Sequence, residues 1–304
     1  MSNVNIYWDG EKEMEVKWLN PDKTYVIAEL GANHCGDINT AIKMVEEAAK
    51  AGVDCIKIQK RDMDSLNEYS DNKIYDNPNS FGKTYTEHRK ALELSMEEIK
   101  QVLGKTKELG LDFSASCWDK KSIDDMEPYI DFYKLQSADS NNTELINYLL
   151  TKNKPVVMSV GGTDFESVNN TVLKFAKQAI PLGILHCTAI YPLSFDKVNL
   201  NNLETLQDLF PYNPIGYSGH EKGIAISTAA VALGARIIER HFTLDRSMKG
   251  GDQAASLEPQ GLKKLVRDIR NVEDALGSFD KVLYDEEQEK LSSLNKTRKV
   301  FNWK

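Results

Sequence analysis

Ile237-Ile238-Glu239-Arg240-His241-Phe242 starts as a buried β-strand and ends in a carboxylate, a guanidinium and an imidazole. Burying three ionisable groups unpaired is costly, so a purely structural strand has little use for them. The C-terminal edge of a sheet or barrel with a polar reaction site does. A second imidazole, His220, closes another apolar run, Pro214-Ile215-Gly216-Tyr217-Ser218-Gly219-His220, one helix upstream. The fold turns on whether these two strand ends meet.

Outward from this stretch the same unit repeats. Short, nearly continuous apolar runs at 25–30, 55–60, 112–117, 132–137, 155–160, 183–188, 214–219 and 237–242 read as strands covered on both faces. Helices follow them, at 38–51, 95–109, 119–127, 143–151, 164–178, 199–209, 223–233 and 259–275. Gly52 ends the first, Ser95-Met96-Glu97-Glu98 opens the second as a capping box, and Asp164 caps the fifth. Eight such units specify an α/β fold, a (β/α)8 TIM barrel in a single domain. A doubly wound open sheet is the alternative, and no G-x-G-x-x-G follows the first strand to support it. Residues 1–23 read as a short N-terminal hairpin or arm that plugs one end, 24–275 as the barrel, and 276–304 as a C-terminal helix (285–294) and tail. Residues 61–94 read as one long polar loop, of the kind that forms active-site lids or disordered inserts.

With 304 residues the chain can bury a sizeable core, and its net charge of −8 disfavours a nucleic-acid partner. No apolar run is long enough to span a membrane, and the acidic N-terminus lacks the features of a signal peptide. Cys35, Cys55, Cys117 and Cys187 are widely spaced without a CxxC, which predicts reduced thiols and a cytoplasmic setting.

A barrel gathers its C-terminal strand ends into one ring. Read in order, the ring holds Glu29; Lys57, Gln59 and Lys60; Ser114 and Ser116; Lys134, Gln136 and Ser137; Ser159; His186, Thr188 and Tyr191; Ser218 and His220; and Glu239 and His241. Lysines among hydroxyls suit a phosphate or carboxylate. His220 and His241 suit a shared divalent metal with open positions for water and substrate. Glu29, placed on the opposite side, suits an acid or base, or a sugar hydroxyl. Each alone has a plain reading: a solvated lysine, a small serine, a satisfied core histidine. Convergence on one rim favours function. His34 reads as a loop-fixing residue, His186 as a satisfied core histidine, and His88 receives no role. Asp252, after Gly250-Gly251, either holds substrate or caps the helix near Pro259.

These motifs resemble the sialic acid (N-acetylneuraminate) synthase family. The matching stretches are Ile27-Ala28-Glu29-Leu30-Gly31-Ala32-Asn33-His34 with Gly36, Ile56-Lys57-Ile58-Gln59, Tyr133-Lys134-Leu135-Gln136-Ser137, Leu185-His186-Cys187-Thr188 with Ile190-Tyr191-Pro192, Ile215 to His220, Glu239-Arg240-His241-Phe242-Thr243, and Gly251-Asp252 with Ala254 to Pro259. The resemblance covers residues 24–275. It implies condensation of phosphoenolpyruvate with an open-chain, N-acetylmannosamine-like aldose to give a nonulosonic acid and phosphate. It also implies a divalent metal, Mn2+ ahead of Mg2+ or Co2+, on His220 and His241. By the same resemblance Lys57, Ser116, Lys134, Ser137, Ser159 and Ser218 hold phosphoenolpyruvate. Gln59, Tyr191 and Asp252 face the acceptor, with Glu29 too, which is the first choice for positioning and proton transfer; Glu239 is the second. A homodimer is the assembly it suggests.

Three departures stand out. Ala189 replaces a frequent Asn. Gly219 replaces an Asp before His220, and Gln253 replaces a His after Asp252. The family's C-terminal antifreeze-like domain, which brings an arginine to the acceptor, is expected to be absent, and the 61–94 loop is the local candidate for that contact. Two other readings compete: a metal-dependent phosphosugar aldolase or isomerase, and a non-catalytic sugar-binding barrel.

Overall fold

The computed structural model describes residues 6–8, 13–64, 74–191 and 193–295. An antiparallel hairpin pairs β1 (Ile6–Trp8) with β2 (Glu13–Glu15). Eight parallel strands then close a barrel: β3 (Tyr25–Gly31), β4 (Cys55–Lys60), β5 (Asp112–Cys117), β6 (Phe132–Leu135), β7 (Val156–Ser159), β8 (Leu182–His186), β9 (Ile215–Gly219) and β10 (Ile237–His241). Strand β10 pairs with both β9 and β3, so the strand ends carrying His220 and His241 are neighbours.

Most of the connecting helices begin where the sequence supplies a cap. Helix α1 (Ile38–Ala51) starts at Asp37, whose carboxylate accepts from Asn39 N and Thr40 N, and it stops at Gly52 with φ 86°. Helix α2 (Tyr85–Leu92) corrects the expectation of a structureless 61–94 loop. Its Thr84/Glu87 pair forms a complete capping box. Residues 65–73 of that loop lie outside the described residues. The remaining helices are α3 (Met96–Glu108), α4 (Lys120–Met126), α5 (Thr143–Leu150), α6 (Phe165–Lys177), α7 (Asn202–Leu209), α8 (Ala225–Ala232), α9 (Pro259–Leu276) and α10 (Asp285–Asn295).

Two cores result from the alternation of strand side chains. Val26, Ala28, Ile56, Ile58 and Ile238 face the helices in the larger one. Inside the barrel, at its N-terminal end, Ile27, Cys55, Phe132, Val157, Leu185 and Ile237 pack with Trp18, which follows the hairpin. Trp18 meets Phe132 edge to face at 6.1 Å and plugs this end. Gly216 keeps the wall thin here. A Cβ on it would lie 2.3 Å from the Ile237 carbonyl oxygen.

Candidate active site

Two residues beyond each apolar floor residue stands a polar or reactive one. Ile27 leads to Glu29, Cys55 to Lys57, Phe132 to Lys134, Val157 to Ser159, Leu185 to Cys187, and Ile237 to Glu239. The period of two that builds the plug therefore also builds the site above it. Every residue that the resemblance assigns to catalysis, phosphoenolpyruvate, acceptor or metal lines one pocket at this end.

The floor is ionic. Lys57 Nζ lies 2.6 Å from Glu29 Oε2, 3.2 Å from Ser116 Oγ and 3.8 Å from Glu239 Oε2. Lys134 Nζ donates to Ser159 Oγ at 2.7 Å and lies 3.9 Å from Glu239 Oε1. Ser218 Oγ donates to that same Glu239 oxygen at 3.1 Å, and Gln59 Nε2 donates to Glu29 Oε1 at 3.0 Å. All four charged groups are buried. Burial works against charge on each, and the neighbours decide the outcome. Burial lowers the Lys57 pKa, but Glu239 and Glu29 outweigh it and the ammonium is held above its usual range. For Lys134 burial wins, helped by Lys57, and its pKa falls. Burial raises the Glu239 pKa, yet Lys134 and Lys57 overcome it and keep this carboxyl ionised.

Glu29 is not across the pocket from the histidines. Barrel closure registers His241 beside Glu29, so the carboxylate adjoins the imidazole pair. The rings of His220 and His241 lie 5.6 Å apart. His220 Nδ1 faces the Thr188 carbonyl at 3.1 Å and so carries the proton; Nε2 accepts from Tyr191 OH at 2.9 Å. Burial, then His241, pushes the His220 pKa down to about 3, which keeps this ring neutral. His241 Nδ1 is buried without a hydrogen-bond partner. A neutral imidazole beside a buried, unpartnered ring nitrogen fits a divalent ion held by two protein nitrogens. No cluster of three His, Cys, Asp or Glu that could hold a metal is present among the described residues, so water and substrate would complete the set.

Arg240 turns outward. Its guanidinium is fully buried against Glu221 at 3.0 Å, and it donates to Ser227 Oγ, Gly223 O and Glu221 O. Of the three ionisable groups at the end of β10, only Glu239 and His241 belong to the pocket. Glu221 also accepts from Tyr217 OH at 2.7 Å. Its carboxylate fills the space beside Gly219, where a Cβ would lie 2.8 Å from Glu221 Oε2. An aspartate at 219 has no room here. Gln253 donates to the Asn33 carbonyl at 3.1 Å and accepts from the Thr243 hydroxyl, tying the loop after β10 to the loop after β3.

The competing roles resolve at several positions. Asp252 lines the pocket, and Glu258, not Asp252, is the N-cap of α9. His34 accepts from Gly36 N at 3.1 Å and His186 bonds the Val198 carbonyl at 2.7 Å; both are held in place outside the pocket. His88 stacks 4.9 Å from Tyr75 within the 74–94 segment. The reading of the strand ends missed Arg61, Arg89 and Trp118, which also line the pocket. Arg61 continues the Lys57, Gln59 alternation by one step, and Thr84-Tyr85-Thr86-Glu87 announces the helix that carries Arg89.

Comparison with known proteins agrees with this geometry. A family model described as the NeuB family matches residues 44–281. The N-acetylneuraminate-9-phosphate synthase of Mus musculus is 42% identical over 262 residues, covering 85% of this chain and 73% of that protein. The N,N'-diacetyllegionaminic acid synthase of Legionella pneumophila is 35% identical over 271 residues, covering 86% and 76%. Among solved structures, the N-acetylneuraminic acid synthetase of Leptospira borgpetersenii, in complex with citrate, superposes with a TM-score of 0.79 at 29% identity, over 97% of this chain and 98% of that one.

Proposed function

The chain belongs to the NeuB family of sialic and related nonulosonic acid synthases, whose general reaction is condensation with phosphoenolpyruvate, and we propose that its acceptor is an open-chain, N-acetylmannosamine-type aldose. The observation that carries this reading is the buried floor of Lys57 and Lys134, each on a serine hydroxyl, beside the facing pair His220 and His241.

Lys57 with Ser116 and Lys134 with Ser159 bind the carboxylate and phosphate of phosphoenolpyruvate, and Ser137 and Ser218 border the same space. Lys57 and Lys134 are already balanced by Glu29 and Glu239, so a polyanionic substrate brings uncompensated charge into a buried site. A divalent cation, Mn2+ by preference, held by His220 and His241 would offset that charge and supply Lewis-acid polarisation of the acceptor aldehyde. The Thr188 carbonyl fixes the His220 tautomer with its proton on Nδ1, and the Nε2 lone pair, on which Tyr191 OH now donates, would serve as the ligand once that hydroxyl turns to the acceptor. Gln59, Tyr191 and Asp252 orient the open sugar.

The enol C3 of phosphoenolpyruvate attacks the aldehyde carbon. One carbon–carbon bond forms, and the aldehyde oxygen takes a proton. Water adds to the cationic C2 and gives up a proton, for which Glu29 is the acceptor in this reading. The C2–O bond to the phosphate then breaks, releasing inorganic phosphate and the keto acid. Glu239, held ionised between the lysines, stabilises the positive C2 and keeps both ammonium groups in place. Dependence on phosphoenolpyruvate sets this reaction in the cytoplasm.

The test is incubation with phosphoenolpyruvate, Mn2+ and a panel of aldoses with and without N-acetyl groups. Phosphate release with an N-acetylated mannose-type sugar is expected. Release with no sugar in the panel would refute the reading and favour a non-catalytic barrel.

A further inference from the structure

The segment that follows β8 wraps His220 and touches it three times. His220 Nδ1 donates to the Thr188 carbonyl at 3.1 Å, Leu193 N donates to the His220 carbonyl at 3.2 Å, and Tyr191 OH donates to His220 Nε2 at 2.9 Å. The first two contacts leave Nε2 alone and hold the histidine whatever Tyr191 does. Both ends of the segment are tied down. Thr188 Oγ1 donates to the Lys197 carbonyl at 3.0 Å, and Leu193 is buried and bridges to Glu221. Between these anchors Ala189, Ile190 and Tyr191 are exposed, Tyr191 by 46%. Little packing therefore opposes a swing of Tyr191.

The Tyr191 ring adjoins both imidazoles. Its centroid lies 4.2 Å from that of His220 and 5.9 Å from that of His241, edge to face with the latter. Nε2 of a neutral imidazole has one lone pair. It accepts from Tyr191 or it binds a cation, never both. Tyr191 and a metal ion are thus competitors for one atom, and an ion that binds there must first break one hydrogen bond. A displaced phenol has an unused donor, which a hydroxyl of the acceptor sugar satisfies.

We propose that Tyr191 is an exchangeable cap on the metal site: it covers His220 Nε2 until a divalent ion displaces it, and its freed hydroxyl then donates to the acceptor. Ion and sugar consequently bind cooperatively, and each raises the affinity of the other by the same factor. The aldehyde is gripped only when the ion that polarises it is in place. This rests on the synthase reading above, with its metal at His220 and His241.

The test is a titration of the full chain with Mn2+, in which the electron paramagnetic resonance signal of the free ion reports binding without turnover. It compares the unmodified chain with Tyr191→Phe, which keeps the ring and removes the hydroxyl. Without sugar, Tyr191→Phe is expected to bind Mn2+ about 3- to 10-fold more tightly, the worth of one hydrogen bond. Adding His220→Ala should abolish that difference and so locate it at this imidazole. N-acetylmannosamine should tighten Mn2+ binding more in the unmodified chain than in Tyr191→Phe, since any contact of the sugar with the ion itself is common to both. Equal Mn2+ affinity in the two chains overturns the cap, and weaker binding by Tyr191→Phe overturns it by making the phenol a ligand. An equal response to the sugar overturns the coupling. Mn2+ bound by neither chain strikes the metal reading itself and takes the proposal with it, a result distinct from the others.

Discussion

Lys134 is the residue on which the floor of the pocket depends most. Its pKa is lowered by burial, and the Ser159 hydroxyl, the Leu135 carbonyl and the Glu239 carboxylate hold it in place. Lys134→Met removes the charge and keeps the stem. It should lower kcat/KM for phosphoenolpyruvate by about 100-fold or more, with thermal stability little changed, since electrostatic contacts to a transferring phosphate carry effects of that order. His34 makes a different residue-scale prediction. Burial pushes its pKa down to about 4, so folding favours the neutral ring. The unfolded chain binds a proton near pH 6.5 and the folded one does not until about pH 4, so stability falls as pH drops through that window, by about 3 kcal/mol in all. Denaturant midpoints between pH 7 and pH 4.5 should show this loss, and His34→Asn should reduce it, leaving the share that neutral His220 contributes. The individual site residues were legible because strand alternation puts them two positions beyond apolar ones. Arg61 was not, because it stands one step past the end of β4 in what reads as loop.

At the scale of elements, β10 holds both halves of the account. Glu239 and His241 point inward, and Arg240 points out to Glu221, which directly follows His220. The buried pair therefore braces the two strand ends that carry the histidines. Arg240→Ala leaves Glu221 buried and unpaired, and it should cost about 3–5 kcal/mol in chemical denaturation. Replacing both partners together, as Glu221→Gln with Arg240→Met, should cost much less. A similar loss in the single and the double variant would show that the arginine acts by packing alone. The sequence hides this pairing because three adjacent ionisable residues look alike in a row; only the alternation of the strand assigns them to two faces. The capping box at Thr84 to Glu87 was equally readable, but the polar composition of 61–94 masked a helix of only eight residues.

For the molecule as a whole, the barrel is a plug below and a reaction chamber above. The repeating strand–helix pattern made this architecture readable from end to end, and the order of motifs indicated the family. The sidedness of the closed ring was harder to read. Glu29 was placed opposite the histidines because first and last strands are remote in sequence, while closure makes them neighbours. Trp18 shows how far the lower half matters. Buried among seven strand residues, it should cost about 3–5 kcal/mol when replaced by alanine, a loss that thermal unfolding would report. If the floor depends on the plug, the same variant should weaken phosphoenolpyruvate binding as well.

The central claim is that this pocket joins phosphoenolpyruvate to an aldehyde and expels phosphate by breaking the C2–O bond. Phosphoenolpyruvate labelled with 18O in the bridging position tests it directly, with Mn2+ and the acceptor present. The account predicts that the label leaves with inorganic phosphate and that the keto oxygen of the new acid comes from water. Label retained in the acid, or phosphate released without any acid formed, would contradict it.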